Sequence, residues 1–187
     1  MRFFVALEIP TAVRENLATL LASLRAISKE PRWVRPENLH ITLKFLGEVA
    51  EGKLGAIRSA LSEIRSNQEI SLEFRGLGFF PNEKHPRVFW AGMEASSNLK
   101  ILAADIDGAM QKQGIPCEKR EFSPHLTLAR IERPRLPEAL SAAIAANMHR
   151  EFGPLKTSKF HLIQSKLKPS GAEYTTLASF QFVAGAQ

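Results

Sequence analysis

Leu39-His40-Ile41-Thr42-Leu43 and, in the second half of the chain, Pro124-His125-Leu126-Thr127-Leu128 repeat one pattern, His-x-Thr-Leu. Strand side chains alternate between two faces, so a strand reading puts His40 and Thr42 on one side and Ile41 and Leu43 on the other. His125 and Thr127 separate in the same way from Leu126 and Leu128. Each copy offers a polar face above an apolar one. If the two halves of the chain pack face to face, both imidazoles and both hydroxyls line one cleft.

The flanking sequence supports two comparable halves. Before the first copy, residues 2–9 read as a strand, and Val13, Leu17, Leu20, Leu21 and Leu24 recur at helical spacing behind Pro10. The copy itself alternates over 39–46 and ends at Gly47, and Leu54, Ile57, Leu61 and Ile64 form a second helical stripe. Around the second copy, strands over 70–74 and 87–93 precede a helix over 99–110, a strand over 121–131 and an Ala-rich helix over 140–148. Two strands, 159–167 and 173–183, complete the chain. Strands and helices interleave, yet several strand pairs are adjacent in sequence, which predicts an α+β fold with mostly antiparallel sheets. No G-x-G-x-x-G or P-loop string occurs, so a glycine-rich phosphate cradle has no support.

At 187 residues the chain has the size of one domain, or of two half-domains sharing a core, and we expect 1–187 to form a single two-lobed domain. Hydrophobic residues at 44% and charged residues at 24% argue against disorder. Cys117 alone allows no intramolecular disulfide and no cysteine zinc cage. Residues 1–10 are too short an apolar run for a signal-peptide core or a membrane span. Together these predict a cytoplasmic protein with no membrane association. A net charge of +6 favours polyanionic partners.

Two histidines that titrate near neutrality suit acid-base chemistry, one donating a proton while the other accepts. A cyclic phosphodiester needs both acts at once, because a water is deprotonated on one side of phosphorus and a ribose oxygen is protonated on the other. Thr42 and Thr127 offer hydroxyls to the non-bridging oxygens, and Arg130 offers charge neutralisation. Two histidines without His-x-His or His-Glu-x-x-His spacing supply too few ligands for zinc, so we expect no metal and no cofactor. His85, His149 and His161 read as structural or solvated.

Longer strings extend the motifs: Arg2-Phe3-Phe4-Val5-Ala6-Leu7-Glu8, Glu37-Asn38-Leu39-His40-Ile41-Thr42-Leu43-Lys44-Phe45-Leu46-Gly47, Gly76-Leu77-Gly78-Phe79-Phe80-Pro81, Pro86-Arg87-Val88-Phe89-Trp90-Ala91-Gly92 and Phe122-Ser123-Pro124-His125-Leu126-Thr127-Leu128-Ala129-Arg130. In these the sequence resembles the two-histidine (2H) phosphoesterases, and more narrowly the RNA 2′,3′-cyclic phosphodiesterases also called 2′-5′ RNA ligases. The resemblance implies two pseudo-symmetric lobes of mostly antiparallel sheet with outer helices and an active-site cleft between them. It implies His40 as proton donor and His125 as proton acceptor, with Thr42, Thr127 and Arg130 at the phosphate and Phe45 beside the substrate. Simple alternation instead places Phe45 on the apolar face and Lys44 on the polar face, where Lys44, with Arg35, would guide an RNA backbone. Trp33 and Tyr174 are further candidate aromatic contacts, whereas Gln164 stands where the family often has tyrosine. The implied partner is RNA with 2′,3′-cyclic phosphate ends, tRNA halves included, bound by a monomer. The alternatives are a phosphodiesterase for a small cyclic phosphate or a 2′-5′ oligoadenylate, and a non-catalytic binder of RNA ends.

Overall fold

In the computed structural model, which describes residues 1–184, the opening apolar run forms β1 (Arg2–Glu8) and the first stripe forms α1 (Thr11–Ile27). A two-residue strand, β2 (Arg32–Trp33), precedes β3 (His40–Glu48) and α2 (Leu54–Ser62). Next come β4 (Ile70–Phe80), β5 (Val88–Ala95), α3 (Ser97–Lys112), β6 (Leu126–Arg130) and α4 (Glu138–Ala146). Strands β7 (Glu151–Thr157), β8 (Lys159–Lys168) and β9 (Gly171–Gln181) follow. No helix among the described residues is long and apolar enough to cross a membrane.

The strands form two sheets in which every paired strand is antiparallel, in the orders β3-β1-β8-β9 and β2-β6-β5-β4-β7. The order strand, helix, motif strand, helix occurs twice, as β1, α1, β3, α2 and as β5, α3, β6, α4, with β2 added to the first. The two lobes of the α+β fold expected from the sequence are thus present. Helices α2 and α3 cover the first sheet, at β9 and β3, whereas α1 and α4 pair on the second, beside β7. Helix α1 therefore leaves one sheet to pack on the other, and α3 makes the reverse exchange. Phe3, Val5 and Leu7 of β1 share one continuous core with Leu72, Phe74, Phe89, Leu126 and Leu128 of the second sheet. Burying each such side chain contributes roughly 1.5–3 kcal/mol, so the lobes are held together by their common interior.

Three strands depart most from the sequence reading. Strand β4 continues to Phe80 because a register shift at Arg75-Gly76, with Gly76 at φ +79°, returns Leu77 to the core side. Strand β7 has no counterpart in that reading, since Gly153 and Pro154 break its pattern; it is an edge strand, where a missing N–H is tolerated. Strand β6 begins only at Leu126, so 121–125, expected as strand, is irregular and ends on His125.

Candidate active site

His40 opens β3 opposite Glu8 of β1. A single 3-10 turn, Pro36–Asn38, precedes it, and the His40 Nδ1 lies 2.6 Å from the Asn38 carbonyl oxygen. A carbonyl only accepts, so Nδ1 carries a proton and Nε2 is the nitrogen this bond leaves unused. Asn38 is anchored in turn through its Nδ2, which donates to Ala172 O at 2.8 Å. The His40 ring stacks on Phe4, centroids 4.6 Å apart, and Tyr174 meets it edge-on at 5.3 Å. Burial in this aromatic setting pushes the His40 pKa below its ordinary value, and the bond to Asn38 only partly opposes it.

His125 repeats the arrangement on the second sheet. Its Nδ1 lies 2.7 Å from the Ser123 carbonyl, two residues back, so the same tautomer holds. The Phe80 ring stands edge-on at 4.9 Å and packs in turn on Trp90. Trp90 is opposite Thr127 across the β5–β6 pair and lies over Gly78, where a Cβ would collide with its ring.

Both motifs carry a β-bulge at the same place. Val5 pairs with Lys44 and Ala6 with Thr42, which leaves Leu43 unmatched; Phe89 pairs with Ala129 and Trp90 with Thr127, which leaves Leu128 unmatched. The carbonyl of the bulged Leu128 accepts the Val34 N–H at 2.9 Å. An extra residue reverses the alternation beyond it. The open face of the first sheet thus receives His40, Thr42 and Phe45, and that of the second receives His125, Thr127 and Arg130. The faces are close enough that Arg130 acts on Tyr174: burial raises the tyrosine pKa, and the guanidinium charge opposes the rise.

Residues 7–90 and 93–174 match the family described as "LigT like Phosphoesterase". The chain belongs to that family. It is 33% identical to the RNA 2′,3′-cyclic phosphodiesterase of Methanothermobacter thermautotrophicus, over 97% of this chain and 98% of that one. It is 38% identical to the enzyme of the same name from Archaeoglobus fulgidus, over 97% and 100%. Among solved structures, a Thermus thermophilus protein superimposes with a TM-score of 0.80 at 32% identity, covering 97% of this chain and 98% of that one. E. coli LigT complexed with 3′-AMP gives 0.76 at 27% identity, covering 97% of each.

Within this LigT-like phosphoesterase the bulge overturns two expectations drawn from alternation. Phe45 is 60% exposed and on the face of His40, near Phe4, rather than among the core residues. Lys44 is only 4% exposed and points inward, where its Nζ lies 2.6 Å from both Asp107 Oδ1 and Pro116 O. It cannot guide an RNA backbone. Burial pushes the Asp107 carboxyl up, but Lys44 and the Glu118 N–H outweigh it and hold the carboxyl below its usual value. Arg35 donates to Ser170 O at the β8–β9 turn. Trp33 packs edge-on against Phe89 and donates to Ser28 O at 3.0 Å, so it serves the core. Gln164 pairs with Phe3 on the helix-facing side of its sheet, away from His40. Tyr174 does border the site.

Three aromatic neighbours escape the sequence reading as site residues: Phe4, Phe80 and Trp90. Each lies within a quoted string, but apolar side chains in strands read as core until the open face of the sheet is known. His161 also belongs to that open face, opposite Ala6, although it is only 5% exposed. Its Nδ1 shares a hydrogen bond with Ser179 Oγ at 2.8 Å, and Glu8 lies 3.8 Å from its Nε2. A cavity of about 800 Å³ lies elsewhere, between the β4–β5 loop and α4, with Phe79, Lys84, His85, Arg135 and Met148 in its wall. Neither motif histidine lines it.

Proposed function

We propose that this LigT-like phosphoesterase opens the 2′,3′-cyclic phosphate at RNA ends to a 2′-phosphomonoester by metal-free two-histidine catalysis, acting as one two-lobed domain. The observation that carries the reading is the paired tautomer: each imidazole is fixed through Nδ1 to the carbonyl two residues earlier, leaving both Nε2 atoms for proton transfer. His125 Nε2 takes a proton from water, whose oxygen bonds to phosphorus. His40 Nε2–H gives its proton to O3′ as the P–O3′ bond breaks. Thr42 and Thr127 donate hydrogen bonds to the non-bridging oxygens, and Arg130 stabilises charge gathering on them. Phe45 and Tyr174 flank the nucleoside.

The depressed pKa of His40 favours its neutral form in the empty site, and a donor must be protonated. A phosphate anion beside the ring reverses this, since a nearby negative charge favours imidazolium. Substrate binding thereby loads the donor. With an RNA 5′-hydroxyl in place of water, the same groups join that end to the cyclic phosphate as a 2′-5′ bond without ATP: His125 Nε2 takes the hydroxyl proton as O5′ bonds to phosphorus, and His40 protonates O3′ as P–O3′ breaks. Relatives named RNA 2′,3′-cyclic phosphodiesterase support an RNA substrate, and a relative solved with 3′-AMP supports a ribose phosphate in the family's site. We extend the reading to tRNA halves as substrates of a cytoplasmic monomer.

The test is EDTA-treated protein incubated with 2′,3′-cyclic AMP and with RNA ending in a cyclic phosphate, products resolved by phosphorus NMR. Opening of both to 2′-phosphates is expected, with KM for the RNA rising steeply with salt and that for the mononucleotide changing little. Failure to open either substrate would end this proposal.

A further inference from the structure

Residues 115–125, between α3 and β6, contain neither helix nor strand, yet they end on His125. An irregular segment can hold an imidazole in place only if its backbone is tied down by side chains. The ties converge on one partly buried ion pair, in which Lys44 is the enclosed member. Lys44 Nζ donates to Pro116 O at 2.6 Å, the Glu118 N–H donates to Asp107 Oδ1 at 3.1 Å, and Lys44 and Asp107 lie 2.6 Å apart. Cys117 lies between these two anchors, and desolvation and the Asp107 carboxylate push its thiol pKa up. Farther along, the Lys100–Glu121 pair is solvent-exposed and such a bridge adds little, while Phe122 packs against the core. Ser123, past these anchors, supplies the carbonyl that orients the His125 ring.

We propose that Lys44 is a positioning residue for His125: a buried ammonium on the first motif's strand pins the segment that delivers the second motif's imidazole. The inference rests on the function proposed above. It follows from the bulge at Leu43, which turns Lys44 away from the cleft and into contact with Asp107 of α3 and the Pro116 carbonyl. The two halves of the proton-transfer pair are then set relative to each other by one side chain that touches neither substrate nor imidazole. Displacing a reacting group by about 1 Å costs on the order of 10² in rate, so slackening this tie should appear in kcat.

Lys44→Met keeps the length of the side chain and removes its donors. On 2′,3′-cyclic AMP we expect kcat per folded molecule to fall about 10- to 100-fold with KM changed less than about threefold. The His125 ring resonances in NMR should move while those of His40 stay. The double variant Lys44→Met/Asp107→Leu replaces the ion pair by apolar groups and should recover thermal stability. Its kcat should stay low, because Pro116 O and the Glu118 N–H still lack their partners. A kcat that returns with stability, or an unmoved His125 resonance in both variants, would overturn the proposal. Wild-type protein that opens no cyclic phosphate would sink the functional reading instead, and the His125 resonances would still judge the positioning.

Discussion

His40 and His125 occupy matching places in the two lobes, two residues before a threonine and three before a bulged leucine, but their surroundings differ. His40 is the first residue of a strand, stacked on Phe4 and edged by Tyr174, and burial lowers its pKa. His125 stands just outside its strand, with the Phe80 ring edge-on beside it, at the end of an irregular segment. The third member of each face differs too: an exposed aromatic ring at Phe45 and a guanidinium at Arg130. One motif thus becomes two environments. Enzymes separate acid from base by such differences rather than by the residues themselves.

Loss of either imidazole should have the largest effect. His40→Ala and His125→Ala are each expected to lower kcat/KM on 2′,3′-cyclic AMP by about 10²–10⁴, and the double variant should fall little further. Losses that multiply would break the view of the two lobes as halves of one device. Next come the residues beyond the bulges. Arg130→Met should cost about 10² in kcat, whereas Phe45→Leu should raise KM roughly tenfold and spare kcat, as expected for lost stacking. Exchanged signatures would mean that the two faces have been given the wrong tasks.

A smaller effect sharpens the contrast in burial. Phe4→Ala opens His40 to water and should raise its pKa toward 6.5, seen by NMR titration of its ring protons. Phe80→Ala, beside the other histidine, should leave that titration unchanged. The smallest effect concerns stability. His40 and His161 both have pKa values lowered by burial, so the unfolded chain takes up protons first as pH falls below 6.5. Stability is complete above that value and is lost as pH falls through the two folded pKa values. His161→Gln should make the decline of the urea midpoint between pH 8 and 5 shallower, and an unaltered slope would show that His161 carries no part of it.

The apolar stripe of α1 was legible because a helix buries one side at a fixed period, and its five expected residues are the five buried ones. The two motifs and the α+β class were legible for the same reason, period two in strands and short spacing between strand pairs. Alternation put Lys44 and Phe45 on the wrong faces, although the resemblance had Phe45 beside the substrate, because their direction depends on a bulge, and a bulge is a property of two strands in register rather than of one. Residues 121–125 and strand β7 were misread because a segment that follows anchors at Pro116 and Glu118, or an edge strand holding Pro154, takes its shape from neighbours far away in sequence.

What the sequence by itself determined is the chemistry on offer: two imidazoles, two hydroxyls and one arginine in repeated strings whose alternation promises polar faces. Only the tertiary structure decided which residues share those faces, that the ammonium of Lys44 is structural, and that His40 is the more enclosed of the pair. The reason is physical. Periodicity is local, set by backbone geometry within one element, whereas register, burial and the partners of a buried charge are set by which elements meet.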